Sequence, residues 1–525
     1  LVGSEMCIRD SPETVVRQCK SALGPLTAFK RMVNSGGKPE FEDVPLTGEA
    51  FPHDHAKLPA EIPQTGDRGI RLADVVNGKN TLEEFTAQLT DYDLSCIIRG
   101  EGMGSPKVTA GTAAAFGGVS DTLTALGIPC ACCDDGPSGM RLDCGTKAFS
   151  LPNGTLLAST FDRPLMTELF TFMGLEMHTN QVDCLLGPGM NIHRHPLNGR
   201  NFEYFSEDPY LTGEMASAEL AGLHSTGAEG TIKHFCGNNR ETRRHFLDSV
   251  ISERALREIY LRGFEKAVKK GGAKSVMTTY GQVNGVWTAG NYGLVTGILR
   301  DDWGFDGFTM TDWWANINRR GKAPDKSDFA AMAMAQNDVY MVTADGAACN
   351  DNTLDSLKSG ELTRGELQRN AMNILRFLTT THAMKRVMGC DDETEIINRP
   401  ADAGDVDSTD IEFHDIDEDL TLDLTGITTE KGSSYAFGLN VSKPGVYKVT
   451  LTASSTLSEL AQTSVSIFAL GSPCGMFTFN GTGGAPVSQT KDVKCLSNFM
   501  PIRLYFGGSG LKTQSIRFEL KERWT

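Results

Sequence analysis

Short apolar runs alternate with amphipathic segments from about residue 81 to residue 389. In the helix-like segments, apolar residues recur at intervals of three and four, most clearly over residues 252–268. The strand-like runs between such segments are Ile128–Cys133, Cys184–Leu186, Thr231–Ile232, Ser275–Met277, Phe308–Met310 and Val339–Val342. Strands and helices that alternate over this length predict an α/β fold, a (β/α)8 TIM-like barrel.

Helix-capping residues support the predicted helices. Thr81 is followed three residues later by Glu84, which predicts a capping box at the first helix. Ser252 predicts the start of the clearest helix, and two lysines and two glycines after Val268 predict its end. The apolar spacing predicts two more helices, over residues 209–223 and 294–299.

The pattern changes to a period of two after about residue 391. Segments over residues 435–441, 445–451, 463–470, 502–506 and 515–520 alternate apolar and polar positions and are separated by Gly, Pro and Asn. This pattern predicts a C-terminal antiparallel β-sandwich. The domains that we predict are a connector over residues 1–77, the barrel over 78–389 and the sandwich over 390–525.

The first of these regions has its own composition. Five prolines between residues 36 and 67 indicate an extended connector. The chain begins with Leu1, and residues 1–10 fit poorly with the segment after them. We therefore expect an upstream region that this sequence lacks.

Charge and cysteine content narrow the function classes. The 525 residues carry a net charge of −16, which makes nucleic acid and anionic membranes unfavourable partners. No apolar stretch is long enough for a bilayer. The 13 scattered cysteines predict reduced thiols in a cytoplasmic protein, and the Cys130–Cys133 spacing is wrong for zinc. We expect no metal and no cofactor.

Polar residues stand where the predicted strands end. Asp312 follows the run 308–311 and precedes two tryptophans, so that a carboxylate lies beside an indole. A carboxylate can attack an anomeric carbon, and an indole can stack on a sugar face. The other strand ends carry Asp135, Arg200, Lys233 with His234, and Tyr280. In a (β/α)8 barrel such ends share one face, where these groups could hydrogen-bond the hydroxyls of a pyranose.

Each of these residues also has a purely structural interpretation. Asp135 before Gly-Pro could form a turn, and Tyr280 could be packing. His234 could be a hydrogen-bonded core histidine. Arg200 and Lys233 could form ion pairs with Glu203 or Asp208. Their occurrence together at the ends of successive strands favours a functional site.

Four segments of the chain resemble glycoside hydrolase family 3, the β-glucosidase family. They are residues 187–209, 233–239, 277–285 and 304–315, in the order found in that family. The resemblance covers residues 81–389. It implies that Asp312 is the catalytic nucleophile of a retaining, exo-acting β-glucosidase. It also implies a set of residues that contact the non-reducing glucose of a β-glucoside or oligosaccharide: Asp135, Arg200, Lys233, His234, Tyr280 and Trp313.

The same resemblance raises the question of the second carboxyl group. In β-glucosidases of this family the acid/base is a glutamate on a separate α/β sandwich domain, and no such domain follows the barrel here. The order resembles circularly permuted members, in which that domain precedes the barrel. We therefore expect an N-terminally truncated enzyme whose acid/base lies in the upstream region. Glu203 and Glu207 are the in-chain candidates, but their motif indicates support for Arg200 and a helix start at Asp208.

Two alternatives stay open at this stage. The chain could bind carbohydrate without turnover, or it could be a β-xylosidase or arabinosidase of the same family. The C-terminal region resembles jelly-roll carbohydrate-binding modules, although alternation would bury some of its candidate stacking aromatics, which are Tyr435, Tyr447, Phe477 and Phe479. The aglycone, the linkage preference and the oligomeric state are not determined by the sequence, and a homo-oligomer is compatible with it.

Overall fold

The structure is a computed structural model. It describes residues 29–36, 38–44, 58–102, 105, 107–109, 111–142, 148–318, 323–392, 411–458, 461–470, 472–496 and 499–524. The predicted connector therefore lies partly outside the described residues, over 1–28, 37 and 45–57. Within it, Phe29–Ser35 and Lys38–Val44 form an antiparallel hairpin.

The middle of the chain forms one eight-stranded sheet. Its strands are β1 (Arg99–Glu101), β2 (Ala114–Gly117), β3 (Cys130–Asp135), β4 (Cys184–Leu186), β5 (Glu229–Phe235), β6 (Ser275–Thr278), β7 (Phe308–Met310) and β8 (Tyr340–Thr343). Their order in the sheet is β7-β6-β5-β4-β3-β2-β1-β8. Met310 of β7 also bridges to Val339 beside β8, so the sheet is nearly closed into a TIM-like barrel.

The six predicted strand runs correspond to β3 through β8, but the expectation of a wholly parallel barrel is wrong at β2. This strand runs antiparallel to both β1 and β3. The described residues of the link between β1 and β2 contain no helix. Antiparallel strands can be joined by a short loop, whereas a parallel crossover usually needs a helix. In the described residues β2 thus follows β1 without the crossover helix that a parallel neighbour usually requires.

Helices surround the sheet. Their bounds are Leu72–Val76, Leu82–Ala87, Asp91–Ile97, Asp121–Ala125, Gly154–Ala158, Arg163–Thr179, Pro209–His224, Arg262–Lys269, Phe329–Met334, Thr353–Ser359, Arg364–Leu378 and His382–Val387. The capping box is confirmed, because Thr81 Oγ1 accepts from the Glu84 N–H at 3.1 Å while Glu84 Oε2 accepts from the Thr81 N–H at 2.9 Å. None of the helices in the described residues is both long and apolar enough to span a bilayer.

Two of the predicted helices are less regular than expected. Ser252 is the N-cap, but the helix Glu253–Ala255 passes into a π-helical turn over Leu256–Tyr260 before Arg262. The wider turn is closed by the Leu261 N–H, which donates to the Leu256 carbonyl at 2.7 Å. Gly293–Asp302 is also π-helical. The spacing of apolar residues does not distinguish these turns from α-helix.

Aromatic packing fixes β7 in the barrel wall. The ring of Phe308 lies 5.0 Å from that of Phe116 in β2 and 4.6 Å from that of Phe377 in the helix Arg364–Leu378. Both Phe116 and Phe308 are fully buried. This packing positions the residues that follow β7, including Asp312.

The C-terminal part of the chain forms two further sheets. Its strands are β9 (Phe413–Ile416), β10 (Asp419–Asp423), β11 (Ser434–Val441), β12 (Gly445–Ser455), β13 (Gln462–Ala469), β14 (Ser472–Asn480), β15 (Val487–Cys495), β16 (Phe499–Phe506) and β17 (Leu511–Arg523). The sheet orders are β9-β11-β16-β13-β14 and β10-β17-β12-β15. Phe437 of the first sheet and Tyr447 and Phe518 of the second belong to one buried apolar cluster.

Most strand pairs in these two sheets are antiparallel, as predicted, but β9 and β11 pair in parallel. The chain leaves β9 for β10, which belongs to the other sheet, after only two residues. Since no hairpin joins β9 to β11, their relative direction is not forced to be antiparallel.

Candidate active site

Asp312 lies just beyond the end of β7, between two backbone hydrogen bonds to the β8 side of the barrel. The Thr311 N–H donates to the Val339 carbonyl at 2.9 Å, and the Trp314 N–H donates to the Met341 carbonyl at 2.7 Å. Trp314 adopts a left-handed backbone conformation (φ 54°), which costs a non-glycine residue about 1–2 kcal/mol. The position of Asp312 is therefore set by the sheet rather than by a free loop.

The Asp312 carboxyl is buried beside several cations. It is 6% exposed, and Oδ1 accepts a hydrogen bond from the Trp313 N–H at 2.8 Å. Burial raises the pKa of Asp312 above its ordinary value, while Arg200, the Trp313 N–H, Arg244 and Lys233 act in the opposite direction. Burial makes the carboxylate less stable in its charged form, and the cations keep its ionisation accessible.

Asp135 at the end of β3 and Lys233 in β5 form an ion pair, although β4 lies between these two strands in the sheet. Lys233 Nζ donates to Asp135 Oδ1 at 2.8 Å, and the lysine side chain is almost fully buried. Burial opposes ionisation of Asp135, but Lys233, Arg141 and Arg200 outweigh it and lower its pKa to about 2. Asp135 is therefore a carboxylate at neutral pH, able to accept hydrogen bonds from sugar hydroxyls.

Arg200 contacts a structural partner and also influences the site. Its Nε donates to Glu203 Oε1, so one of the structural interpretations of Arg200 is correct. Its charge still lowers the pKa of both Asp135 and Asp312. The Glu203 contact and the influence on the site are compatible, because Glu203 holds the guanidinium while the charge of Arg200 acts on both carboxyl groups.

His234 is held by a chain of hydrogen bonds. Glu241 Oε1 accepts from Asn238 Nδ2 at 2.9 Å, which orients the amide. The same Nδ2 donates to the Tyr204 hydroxyl at 3.0 Å, and this hydroxyl lies 3.1 Å from His234 Nδ1. Since the tyrosine oxygen accepts from Asn238, its own proton is available for Nδ1. Nε2 then carries the imidazole proton and faces Asp312 Oδ2 at 3.7 Å.

The charge state of His234 agrees with this arrangement. Burial, together with Arg200, Lys233 and Arg244, lowers the pKa of His234 well below its ordinary value, so the ring is neutral at pH 7. Asn191 Oδ1 is the competing partner of Nδ1, but it lies at 3.4 Å and already accepts from the His234 N–H at 3.0 Å. The shorter contact, to Tyr204, therefore favours the tautomer with a proton on Nε2.

Tyr280 and Trp313 are two buried aromatic residues beside Asp312. Burial and the Asp312 carboxyl both raise the pKa of Tyr280. The guanidinium of Arg244 lies 4.5 Å from the centroid of the Tyr280 ring, and the ring of His245 lies 4.1 Å from it. Trp313 is 8% exposed and belongs to the same apolar cluster as Tyr280. Its indole is thus largely buried and does not project into solvent.

The structure brings the predicted site residues of the barrel together around Asp312 and Asp135, and adds some that were missed. The additional residues follow β4 and β5 in the chain: Asn191, Tyr204, Asn238, Glu241 and Arg244. The rule that polar residues follow strand ends could have found them, had it been extended about 20 residues into each loop. The carboxylates here pair with cations: Asp135 with Lys233, Glu203 with Arg200 and Glu241 with Arg244. Such pairing suits a neutral polyhydroxyl ligand.

Comparisons with known proteins agree with this geometry. The family described as "Glycosyl hydrolase family 3 N terminal domain" matches residues 67–377, more than half of the chain. A β-glucosidase from Ruminococcus albus is 60% identical over 97% of the chain and 55% of its own length. The crystal structure of a β-glucosidase from Paenibacillus barengoltzii superposes with a TM-score of 0.67 at 43% identity, over 95% of the chain and 54% of that protein.

A relative that is named for a different activity also matches. An exo-α-(1→6)-L-arabinopyranosidase from Bifidobacterium longum is 37% identical over 49% of the chain and 34% of its own length. The chain spans about half the length of the first two relatives and less of this one. The match over the barrel, together with the buried carboxyl at the end of β7 and its surrounding cations, establishes the family. The chain belongs to glycosyl hydrolase family 3.

Proposed function

We propose that this chain carries the nucleophile and the glucose-binding residues of a retaining, exo-acting β-glucosidase. The observation that carries the proposal is the convergence of Arg200, Lys233 and His234 on the buried Asp312 carboxyl. The Ruminococcus and Paenibacillus relatives are both named β-glucosidases, which supports the proposal. The substrate class is a terminal, non-reducing β-D-glucosyl residue.

The proposed mechanism begins at Asp312. One carboxylate oxygen attacks the anomeric carbon while the bond to the aglycone oxygen breaks, which gives a covalent glycosyl-enzyme. Water then cleaves this ester and releases glucose with retention of configuration. Arg200 and Lys233 favour the ionised form of Asp312, and the His234 Nε2–H faces the same carboxyl group.

The binding roles follow from the charges of the other groups. Asp135 is ionised and held by Lys233, so it would accept hydrogen bonds from sugar hydroxyls. Lys233, Arg200 and Tyr280 supply donors, and paired donors and acceptors are what a buried hydroxyl requires. Trp313, the residue after Asp312, would supply an apolar face for the pyranose.

The acid/base is proposed to lie outside this chain. Glu203 is committed to Arg200, and Glu207 is exposed next to the start of the helix Pro209–His224. Asp135 has too low a pKa to act as an acid near neutral pH. The leaving-group dependence tests this proposal, since glycosylation should slow steeply as the pKa of the aglycone rises. A shallow dependence from aryl to alkyl β-glucosides would show that the chain supplies its own acid.

We also propose three regions, a connector over 1–77, the catalytic barrel over 78–389 and a C-terminal region over 390–525. The shared apolar cluster supports packing of the two C-terminal sheets as a β-sandwich, jelly-roll-like in type. The sheets contribute stability rather than glycan binding, because Tyr447, Phe477 and Phe479 are buried and Tyr435 packs partly against the cluster. Affinity electrophoresis of the full chain on soluble glucans, with the active site blocked, should show no retardation.

The alternatives are separable by substrate. The similarity to an arabinopyranosidase supports arabinosidase or xylosidase activity as the alternative to β-glucosidase activity. Aryl glucoside, xyloside and α-arabinopyranoside of equal leaving-group pKa should rank with glucoside first, and a preference for a pentoside would replace the proposed substrate. A chain that binds sugar without turnover would bind glucose but would release no phenol from any of these aryl glycosides.

The experiment that tests the enzyme itself uses 2,4-dinitrophenyl β-glucoside. This leaving group needs little acid assistance, so the chain should release dinitrophenolate without an upstream acid. Asp312→Asn should abolish release, while the exposed Glu207→Gln should retain it. Equal release by Asp312→Asn and the unaltered chain would overturn the proposal.

A further inference from the structure

Two cysteines form a close thiol pair to which the proposed function assigns no role. Cys96 is the sixth residue of the helix Asp91–Ile97, which precedes β1. Cys349 lies in the segment that follows β8. The two sulfur atoms are 3.8 Å apart, and both cysteines are free.

Cys349 has the surroundings of a nucleophilic thiol. Arg99 Nη1 lies 3.2 Å from its sulfur, and Ser95 Oγ also lies at 3.2 Å. Arg99 is fully buried, and its Nε donates to Asp351 Oδ2 at 2.7 Å, which fixes the guanidinium. Cationic and hydrogen-bonding neighbours stabilise a thiolate.

The two thiols have opposite ionisation tendencies. The hydrogen bond from Cys96 lowers the pKa of Cys349 most, burial and Asp351 oppose it, and with Ser95 and Arg99 the pKa is lowered to about 6. The contact with Cys349 and burial raise the pKa of Cys96. Cys96 thus stays a thiol and donates its S–H to the Cys349 thiolate.

The two thiols also differ in their exposure to solvent. Cys349 is half-buried and stands between the exposed Ala348 and Asn350, whereas Cys96 is fully buried. A small oxidant could therefore reach Cys349 first. Cys96 lies close enough to react with an oxidised Cys349 without a large movement of either segment.

We propose that Cys349 is a site of peroxide oxidation and that Cys96 resolves it to a disulfide. The Cys349 thiolate attacks one peroxide oxygen, the O–O bond breaks, and the departing hydroxide takes up from the solvent a proton equivalent to the one that Cys349 released on ionising, so that a sulfenic acid and one water form. The Cys96 sulfur then attacks the sulfenic sulfur, and the S–O bond breaks to release water. Two thiols are oxidised and one hydrogen peroxide is reduced to two waters.

The bond would have a mechanical consequence. Cys96 precedes β1 and Cys349 follows β8, and these strands are neighbours in the sheet. The disulfide would link the first and last strands of the barrel across most of its sequence. A cross-link that closes a long loop restricts the unfolded chain. Oxidation should therefore raise the midpoint of thermal unfolding, and reduction should reverse it.

The chain contains a matched control pair. Cys133 of β3 and Cys184 of β4 are register partners in the sheet, and both are fully buried. Burial and the neighbouring Cys133 raise the pKa of Cys184 well above its ordinary value. This pair should stay reduced under doses of peroxide that oxidise Cys96 and Cys349.

The test treats the folded full chain with graded hydrogen peroxide, traps sulfenic acid with dimedone and maps peptides by mass spectrometry. We expect a Cys96–Cys349 disulfide in the unaltered chain, a dimedone adduct on Cys349 in Cys96→Ser, and unmodified Cys96 in Cys349→Ser. Oxidation of Cys133 and Cys184 at the same dose, or no reaction at Cys349, would overturn the proposal.

A rate measurement at pH 6 provides a second test that needs no variant. A thiol whose pKa is about 6 is half ionised there, against about 0.3% for an ordinary cysteine whose pKa is about 8.5. The lower intrinsic nucleophilicity of the more acidic thiolate removes roughly a factor of 13. Iodoacetamide should therefore label Cys349 roughly tenfold faster than free cysteine in the same solution, and labelling of Cys349 at an equal or lower rate would contradict the proposal.

Discussion

The tautomer of His234 can be changed by removing one oxygen atom. In Tyr204→Phe the hydroxyl that lies 3.1 Å from His234 Nδ1 is lost. The remaining partner of Nδ1 is Asn191 Oδ1 at 3.4 Å, which can only accept. The proton therefore moves to Nδ1, and the Nε2 lone pair then faces the Asp312 carboxylate.

The size of the effect follows from the interaction that is lost. A hydrogen bond to a charged group contributes about 1.5–3 kcal/mol, and about 1.36 kcal/mol corresponds to a factor of ten in rate. Nε2 lies 3.7 Å from Asp312 Oδ2 in the unliganded site, a separation that can shorten as a glycoside binds. We expect the glycosylation rate to fall by about 13- to 160-fold.

The assay is covalent inactivation by 2,4-dinitrophenyl 2-deoxy-2-fluoro-β-glucoside, which reports glycosylation alone. The control is Tyr447→Phe, which removes another buried tyrosine hydroxyl that donates to the Lys443 carbonyl at 2.8 Å in the C-terminal sheets. Tyr447→Phe should react at the rate of the unaltered chain. Inactivation of folded Tyr204→Phe within twofold of that rate would refute the reasoning about the tautomer.

Three other predictions concern pH and packing. Because the pKa of Asp312 is raised, the glycosylation rate should be high above that pKa and should fall as the pH drops through it, at a pH above the ordinary value of 3.8. In pH–rate profiles Arg200→Gln should move this acidic limb to higher pH, because a cation that favours the ionised carboxylate is lost, whereas Arg141→Gln should leave the limb in place. The pKa of Asp135 is about 2 in the folded chain and about 3.9 in the unfolded chain, so the ionised side chain stabilises the fold. This stabilisation is present above about pH 4 and is lost as the pH falls toward 2. The difference in Tm between the unaltered chain and Asp135→Asn should therefore shrink over that range, and a constant difference would contradict the assignment. Phe308→Ala should lower the free energy of unfolding by about 3–5 kcal/mol in urea titrations, because it leaves a cavity against Phe116 and Phe377. The control Phe172→Ala, at a position that is 54% exposed, should change the free energy of unfolding by about 0.5 kcal/mol or less.

The barrel could be predicted where strands are apolar and fully buried. β4 and β7 consist of apolar or β-branched residues between clear helices, and both were predicted with their exact bounds. β1 was missed because it is only three residues long and contains Arg99 and Glu101, which look like surface residues. Both are buried, with Arg99 bonded to Asp351. Partners so distant in sequence leave no local pattern.

The site could be predicted as far as strand ends mark it. Lys233 and His234 lie near the end of β5, and Asp312 is the second residue after β7, so the barrel geometry brings them together. Tyr204 and Asn238 lie in loops, and their role depends on the direction of hydrogen bonds between side chains. That direction is determined by Glu241 in three dimensions, and no spacing in the sequence expresses it.

The central claim is that Asp312 forms a bond to the anomeric carbon of glucose, and peptide mapping of the 2-fluoroglucosyl-labelled chain tests it most directly. One 2-deoxy-2-fluoroglucosyl group per chain should be found on the peptide that contains Asp312, and the adduct should disappear in Asp312→Asn. Stoichiometric labelling on any other carboxylate, or an adduct that persists in Asp312→Asn, would contradict the account.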